Sequence, residues 1–598
     1  MGLAVTAEVS ESGARTGGPA RRAGTWAAVV RQVPARLLRL GALGGLLIAV
    51  GGVGAGAVLR RDPLLTGSIL NAVRYGHGRD LATAVVFVGV ALMVYSWVRL
   101  GRMVRAGQVD GRGVVLAAAA WTAPLLIGPS LYSRDVYSYL AQGAVALHGF
   151  DPYTNGASVL PLSLGGNVAS LWQNTPSPYG PLFLLVAKGV VAITGDNVII
   201  GAVLMRLAVL SGLGLLAWAM PGLVRHLGGR TSVALWLTVA NPFVIAVGIG
   251  GAHNDILMVG LMAVGVLMVL DRKHVRGIAV IALATAVKAT AVLVVPFLIW
   301  VWVARLSGPA RQRFFQACLV GGITFAGVFA LSTIVAGVDL GWINVLQSQT
   351  PLLTWMSLPC AVAELLYHSV GRHFPGAEYE GFLDFFRSAG MYVLAAVLVR
   401  QWWLARAGGV EAVRRAAIAL LAASVLAPSV LPWYFTWTLA LAAAFAWKDR
   451  WLAVAAGFSV WMVLITLPDG TIVARWHYGS ANPVVWWSYL AVTVLVGVWV
   501  GRALLERPSM WSLLAELRAR SGDPDRSGDE GEPGDPGRST KVAEVVEVID
   551  VADVVEQASP DTGRPPDVQG IHDPQDAGDD DVGVEPDTAG KKRGSTGG

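Results

Sequence analysis

Stretches of about 20 predominantly apolar residues recur through most of this 598-residue chain, and they constrain its fold more than any other feature. Each stretch is long enough to cross the hydrocarbon core of a bilayer as an α-helix. The charged fraction is only 14%, whereas soluble domains carry roughly 25%. Because the stretches are continuous rather than alternating, they favour helices over strands. We therefore expect an all-α, polytopic integral membrane protein.

The sequence predicts about fourteen spans of this kind. They lie near residues 40–59, 81–99, 113–131, 199–220, 231–249, 253–270, 276–288, 289–304, 315–337, 387–405, 413–430, 433–447, 450–467 and 484–503. One long apolar stretch around Lys288 is divided in two, because basic clusters precede it and follow it. Both clusters favour the cytoplasm, so the stretch is expected to form a hairpin rather than a single crossing.

Composition divides the chain into three regions. Residues 1–39 are predicted to be a cytoplasmic N-terminal tail, and residues 40–505 the transmembrane domain. Residues 506–598 are rich in Asp, Glu, Gly and Pro, which predicts a disordered, acidic cytoplasmic tail. The arginines cluster near the ends of spans, so the net charge of +6 reflects membrane topology and predicts no nucleic-acid partner.

The positive-inside rule predicts a multi-pass protein of the plasma membrane with both termini in the cytoplasm. Two large outer loops result, at residues 132–198 and 338–386, and the apolar segment 181–194 is expected to lie along the outer interface. One loop disagrees with the rule, because this topology places four of its arginines outside. They are Arg60, Arg61, Arg74 and Arg79.

The first outer loop carries Asp135, in SRDVYSYLAQG, directly after an apolar span. A carboxylate at the membrane edge is costly and indicates a functional site. Glycosyl transfer from a lipid phosphate needs a general base to accept the proton of the attacking hydroxyl, and Asp135 is the candidate. Alternatively, Asp135 only caps the helix that follows it.

The same loop is rich in aromatic and polar residues, as sugar-binding sites are. Its candidate substrate-binding residues are Tyr137, Tyr139, Asp151 and Tyr179. For Asp151, which is followed by Pro152, a simple turn is the competing interpretation.

Polar residues also interrupt later spans. GGAHNDILMVG places His253, Asn254 and Asp255 at the outer end of a span, where they could bind a phosphate or a sugar, or act as an N-cap. Lys288, in ATAVKATAV, must pair, snorkel or lose its charge, and a lipid phosphate could be its counter-ion. Arg206, inside span 199–220, raises the same question. One adjacent His and Asp supply too few ligands for zinc, so no metal site is predicted.

Two further outer turns combine aromatic and hydrogen-bonding side chains. LPWYFTW contains Trp433, Tyr434 and Trp437, and TIVARWHYGSANP contains Arg475 and His477. Sugar sites have this composition, but an interfacial aromatic belt has it too.

Several enzyme classes lack support in the sequence. It contains no nucleotide-phosphate loop, no Ser-His-Asp order and no ATPase motif. The Asp-x-Asp pattern typical of soluble nucleotide-sugar enzymes occurs only in the acidic tail, as at Asp523 and Asp525. This distribution argues against a nucleotide-sugar donor.

Taken together, these residues resemble the GT-C class of lipid-phosphate-sugar glycosyltransferases. SRDVYSYLAQGAVALHGFDPYT, NTPSPYGPLF and GGAHND are similar to motifs of the actinobacterial polyprenol-phosphomannose-dependent α-1,6-mannosyltransferases, which build the mannan backbone of lipomannan. The resemblance covers roughly residues 40–505. It implies a GT-C-like fold with a large outer first catalytic loop, Asp135 as the base, and Lys288 and His253 at the donor phosphate.

The resemblance also implies a reaction. Mannose would pass, with inversion, from polyprenyl phosphomannose to a growing α-1,6-mannan acceptor of the lipomannan type, at the outer face of the membrane. The sequence requires no cofactor, although a divalent cation could assist. Two alternatives stay open: the same fold using polyprenyl-phosphate arabinofuranose or glucose, or a transporter or flippase of lipid-linked glycans.

Overall fold

A computed structural model of the chain describes residues 26–60, 62–347, 354–374, 376, 378–471 and 483–506. Within these ranges the regular structure is helical, and the β-structure consists of isolated bridge residues, such as the antiparallel pair Gly228 and Phe445. The all-α prediction is therefore confirmed. The acidic tail from residue 507 onwards, residues 1–25 and the candidates Arg475 and His477 lie outside the described residues.

The first half of the described chain contains ten α-helices. They are α1 (Trp26–Gln32), α2 (Ala35–Ala55), α3 (Gly76–Arg105), α4 (Gly111–Thr122), α5 (Asp135–Leu147), α6 (Ser170–Gln173), α7 (Pro181–Thr194), α8 (Val198–Leu227), α9 (Thr231–Thr238) and α10 (Asp255–Leu270).

The second half of the described chain contains ten more. They are α11 (His274–Val287), α12 (Val295–Val303), α13 (Ala310–Ala336), α14 (Trp342–Gln347), α15 (Leu358–Ser369), α16 (Tyr379–Leu404), α17 (Gly409–Leu426), α18 (Phe435–Ala442), α19 (Asp449–Leu464) and α20 (Pro483–Leu505). Short 3₁₀ turns join several of them, and a π-helical segment, Phe243–Ile249, lies between α9 and α10.

Six described helices are long and apolar enough to cross a membrane. They are Ala35–Ala55, Gly76–Arg105, Val198–Leu227, Ala310–Ala336, Tyr379–Ala407 and Trp487–Leu505. A seventh span results if Thr231–Thr238 and Phe243–Ile249, which are bent by 43° at their junction, count as one. A multi-pass membrane protein is thus supported, whereas the predicted number of about fourteen spans is not.

The difference in span number has a physical cause. The other predicted spans fall on helices that are short or interrupted, such as the 16-residue α10 and the 14-residue α11. Mean hydropathy registers apolar side chains and does not register where the backbone breaks. Apolar stretches that look like full crossings in the sequence are therefore shorter helices in the structure.

The hairpin at Lys288 is confirmed. Helix α11 ends at Val287, Lys288 has an extended backbone (φ −150°, ψ 128°), and the chain then returns through Ala289–Val294 and α12. His274, at the start of α11, stacks on Trp302, near the end of α12, with ring centroids 5.1 Å apart. The start of α11 and the end of α12 therefore lie together, and Lys288 lies at the tip of the hairpin.

Two of the four arginines in the loop that disagreed with the positive-inside rule are paired with carboxylates. Arg74 forms a salt bridge with Asp62, and Arg79 forms one with Asp469 across 2.7 Å. Since Asp469 belongs to the turn that contacts the segment before Asp135, these arginines lie at the same end of the bundle as Asp135. Their pairing with carboxylates lowers the cost of placing Arg74 and Arg79 at this end.

A single buried guanidinium joins two interrupted helical segments. Arg206 of α8 is fully buried, and its nitrogens donate to five backbone carbonyls across 2.9 to 3.2 Å. The acceptors are Leu126, Gly128, Pro129, Ile249 and Gly250. Helix ends leave such carbonyls without intrahelical partners, so Arg206 satisfies them within the protein and does not snorkel. It thereby fixes the segments that lead to Asp135 and to His253.

Candidate active site

Side chains from four distant parts of the sequence converge at the ends of these segments. They come from the start of α5, the turn before α10, the tip of the hairpin at Lys288 and the turn before α18. Each of these places is a point at which a helix begins or breaks, where polar groups can be accommodated among apolar helices. The sequence identified candidate residues in all four, and the structure brings those four groups into one site.

Asp135 is the first residue of α5, and its carboxylate faces the imidazole of His253. Its Oδ2 lies 3.4 Å from Nδ1 of His253, and its side chain is 17% exposed. Arg134, not Asp135, occupies the N-cap position, so the capping alternative is not what the structure shows. Burial opposes ionisation of Asp135, but His253, Ser133 and Lys288 outweigh it and lower the pKa of this carboxyl below its usual value. Asp135 is therefore ionised at neutral pH.

Asp255, the first residue of α10, is fully buried and already engaged. Nζ of Lys288 donates to both carboxylate oxygens, at 2.8 and 2.9 Å, and Nε1 of Trp437 donates to Oδ1 at 2.6 Å. The ammonium group also lies 4.7 Å from the ring centroid of Tyr434. Lys288 thus pairs inside the protein, with its side chain 13% exposed, and the snorkelling alternative is wrong.

Asn254 stands between these two centres with its side chain unsatisfied. It is fully buried, and neither its Oδ1 nor its Nδ2 has a hydrogen-bond partner among the described residues. Asn254 occupies the N-cap position of α10, as the N-cap alternative expects, but its side chain makes no capping hydrogen bond. The turn that presents it contains Ala252 at φ +54°, a left-handed conformation that is costly for alanine. A buried amide without partners is poised for a ligand.

Aromatic rings form the walls around the charged groups. His253 stacks on Trp433 with centroids 3.6 Å apart, and Tyr139 meets Tyr179 edge to face at 5.2 Å. Burial, and then the charge of Asp135, raise the pKa of Tyr179 well above its ordinary value. Its hydroxyl therefore stays protonated and can donate a hydrogen bond. Flat rings beside hydroxyl, amide and carboxylate groups suit a sugar.

Two sequence candidates lie apart from this cluster. Tyr137 turns to the opposite face of α5, where its hydroxyl donates to the carbonyl of Ala57 at 2.8 Å. Asp151 closes a turn by accepting from the backbone N–H of Tyr153 at 2.9 Å and from the hydroxyl of Thr154 at 2.8 Å. The turn interpretation of Asp151 is therefore the one observed.

Trp437, which the sequence places in the LPWYFTW turn with Trp433 and Tyr434, also belongs to the site, but its bond to Asp255 was not predicted. Its signal was present, since it follows Tyr434 by three residues and neighbours at that spacing share a helix face. The two rings stack at 4.4 Å. Across the residues that the structure describes, no group of three or more His, Cys, Asp or Glu side chains is placed to hold a metal ion.

Comparisons with known proteins identify the chain's relatives. A family model described as alpha-(1->6)-mannopyranosyltransferase, N-terminal domain, matches residues 38–304, and one described as MptB C-terminal domain matches residues 359–500. Alpha-(1->6)-mannopyranosyltransferase A of Mycobacterium tuberculosis is 40% identical over 437 residues, which cover 72% of this chain and 84% of that protein. The chain belongs to the alpha-(1->6)-mannopyranosyltransferase family.

A second relative in this family is alpha-(1->6)-mannopyranosyltransferase A of Corynebacterium glutamicum, which is 33% identical over 71% of this chain and 91% of its own length. No solved structure matches the chain. As a family member the protein is a glycosyltransferase. Its candidate site draws on both matched regions, because Asp135 and Lys288 lie in the first and Trp437 in the second.

The buried pair in this mannosyltransferase-family site yields a prediction. Asp255→Asn leaves the ammonium group of Lys288 without its negative partner. Lys288→Met leaves the carboxylate of Asp255 without its positive partner. We expect each to lower the free energy of unfolding by about 3–5 kcal/mol. The double variant removes both charges and should recover most of that loss.

A double-mutant cycle on the detergent-solubilised full chain, followed by thermal unfolding, measures this coupling. Asp151→Asn is the matched control, because its carboxylate closes a partly exposed turn, and it should cost about 1 kcal/mol. Additive losses in the double variant would show that Asp255 and Lys288 do not stabilise each other.

Proposed function

We propose that this protein transfers mannose from polyprenyl phosphomannose to a growing α-1,6-mannan acceptor of the lipomannan type, at the outer face of the plasma membrane. Membership of the family supports mannosyl transfer. The observation that carries the proposal is the meeting of an ionised carboxylate, Asp135, with a buried lysine, Lys288, in one aromatic-walled site. The carboxylate can accept the proton of the attacking hydroxyl, and the ammonium group can stabilise the departing phosphate.

In the proposed reaction Asp135 accepts the proton of the 6-hydroxyl of the acceptor's terminal mannose. That oxygen forms a bond to C1 of the donor sugar while the bond from C1 to the lipid phosphate oxygen breaks. The leaving phosphate keeps the electron pair, and in-line attack converts a β-linked donor into an α-linked product. A positioned general base contributes typically 10²–10⁴-fold to such a step.

Lys288 and His253 are the proposed partners of the phosphate. Two of the three N–H groups of Lys288 hold Asp255, which leaves one for a phosphate oxygen. The pair with Asp255 fixes the ammonium in place before the donor arrives, so its charge needs little reorganisation during the reaction. His253 lies on the Asp135 side, with its Nε2 buried and without a hydrogen-bond partner in the described part of the chain.

The distribution of basic residues supports a position of the candidate site at the outer face of the membrane. The tip of the hairpin carries Lys288, and its other end carries Arg272, Lys273, Arg276 and Arg305. Such a cluster favours the cytoplasm. The site at the tip then faces outward, where a polyprenyl chain could remain in the bilayer while its sugar reaches Asp135.

The donor is tested by supplying the purified chain, reconstituted in sealed proteoliposomes, with radiolabelled polyprenyl phosphates of mannose, arabinofuranose or glucose and an α-1,6-dimannoside acceptor. We expect label to transfer from phosphomannose alone. Nuclear magnetic resonance of the product should show a new α-1,6 linkage. Transfer from the arabinofuranose or glucose donor instead would show that the protein uses that sugar and not mannose. Uptake of label across the membrane without formation of a linkage would favour a transporter.

The unsatisfied amide gives a second test of this site. Asn254→Leu removes polar atoms that have no partner, so it should leave the free energy of unfolding unchanged or raise it. If the amide binds a sugar hydroxyl, transfer should fall by about tenfold or more, because such a contact is worth one hydrogen bond to substrate.

Asn241→Leu is the matched control for this measurement. Asn241 is equally buried, but its Oδ1 accepts from the N–H of Phe243 at 3.0 Å and its Nδ2 donates to Ser459 at 2.9 Å. We expect the control to lose stability by about 1–3 kcal/mol. A loss of similar size in Asn254→Leu, or transfer at the wild-type rate, would rule out a ligand-binding role for the Asn254 amide.

A further inference from the structure

A shallow, open and strongly basic pocket lies at the end of the hairpin opposite Lys288. Its volume is about 280 Å³, and its lining residues are Arg272, Lys273, His274, Val275, Arg276 and Trp302. Helix α11 has 14 residues and rises about 1.5 Å per residue, so the pocket lies about 20 Å from the tip. It is therefore separate from the candidate active site.

The positive charge of this pocket has no counter-charge in its lining. None of the described residues that line it is acidic. The neighbouring Asp271, whose carboxylate lies 2.7 Å from Nε2 of His226, does not line the pocket but also interacts electrostatically with Arg305 and offsets part of the positive charge. Arg305 lies close enough to add to the field, although its own Nη1 donates to the carbonyl of Val269 at 2.7 Å.

The pKa of His274 reflects the positive electrostatic potential in the pocket. Burial, followed by the charges of Arg305 and Arg272, lowers the pKa of His274 to about 4. The imidazole is therefore neutral at physiological pH. Its Nδ1 is buried and has no hydrogen-bond partner among the described residues, while its ring stacks on Trp302. This part of the protein repels added positive charge and would be stabilised by an anion.

The backbone at Arg272 is a further sign of a built site. Arg272 has φ +64°, and Lys273 donates its N–H to the carbonyl of Met268 at 2.8 Å, as in a helix C-terminal motif. Glycine usually occupies the left-handed position of such a motif, because a side chain is strained there. The positive-inside rule explains cations at this end of the hairpin, but it does not explain an arginine at a position that favours glycine.

We propose that this pocket binds a phosphate group, supplied by the headgroup of an anionic phospholipid in the leaflet opposite the active site. Arg272, Lys273 and Arg276 can each make charge-assisted hydrogen bonds to phosphate oxygens. The indole of Trp302 is typical of the headgroup region. Basic pockets between helix ends on the cytoplasmic side are known sites for such headgroups. A free phosphate ion shares this chemistry and is the second source to test.

Lipid retention by the detergent-solubilised full chain, measured by native mass spectrometry, tests the proposal. The probes are phosphatidylglycerol and phosphatidylcholine, with inorganic phosphate added in a parallel thermal-unfolding measurement. The pocket variant is Lys273→Gln with Arg276→Gln. The control is Arg225→Gln with Arg311→Gln, which removes the same charge from two exposed arginines that do not line the pocket.

We expect wild type and control to retain phosphatidylglycerol in preference to phosphatidylcholine, and the pocket variant to retain about tenfold less of it. If inorganic phosphate alone stabilises wild type and control but not the pocket variant, the site takes a free phosphate. Equal retention by wild type and pocket variant, with no difference in their response to phosphate, would overturn the proposal. So would an equal loss in the control, because binding would then follow net charge and not this pocket.

Discussion

Arg206 donates hydrogen bonds to five backbone carbonyls at the ends of two interrupted helical segments, and the placement of the candidate site follows from that interaction. One segment leads to Asp135 and the other to His253. Among apolar helices there is little water to satisfy exposed carbonyls, so broken helices are tolerated only where the protein supplies donors. A planar guanidinium with five N–H groups can supply them from one side chain. The two breaks are thereby held against each other, and their polar residues face one site.

Within that site two carboxylates have different surroundings and therefore different roles. Asp255 is fully buried and has both oxygens occupied by Lys288 and one also by Trp437, so it holds the cation in place. Asp135 is partly exposed and faces His253. A site that separates two acids by environment can use one for structure and the other for proton transfer. This division supports Asp135, and not Asp255, as the proposed base.

The sequence was informative where the signal is local. Each predicted span overlaps at least one helix, and polar residues such as Asp135, His253 and Lys288 stand out because they are costly beside apolar spans. The number of crossings could not be predicted, since backbone breaks such as the one between α9 and α10 leave mean hydropathy unchanged. Tyr137 and Tyr139 looked equivalent because the rotation of α5 depends on its neighbours. The roles of Arg206 and Asp255 depend on contacts between residues far apart in the sequence, which one sequence does not reveal.

The central claim is that Asp135 acts on the acceptor proton and that donor binding belongs to a different part of the site. Measuring donor affinity and transfer rate in the same preparation of Asp135→Asn tests it most directly. The account predicts an affinity for polyprenyl phosphomannose within a few-fold of wild type and a transfer rate at least about 100-fold lower. A transfer rate near that of wild type, or a loss of donor binding that accounts for all the lost activity, would contradict it.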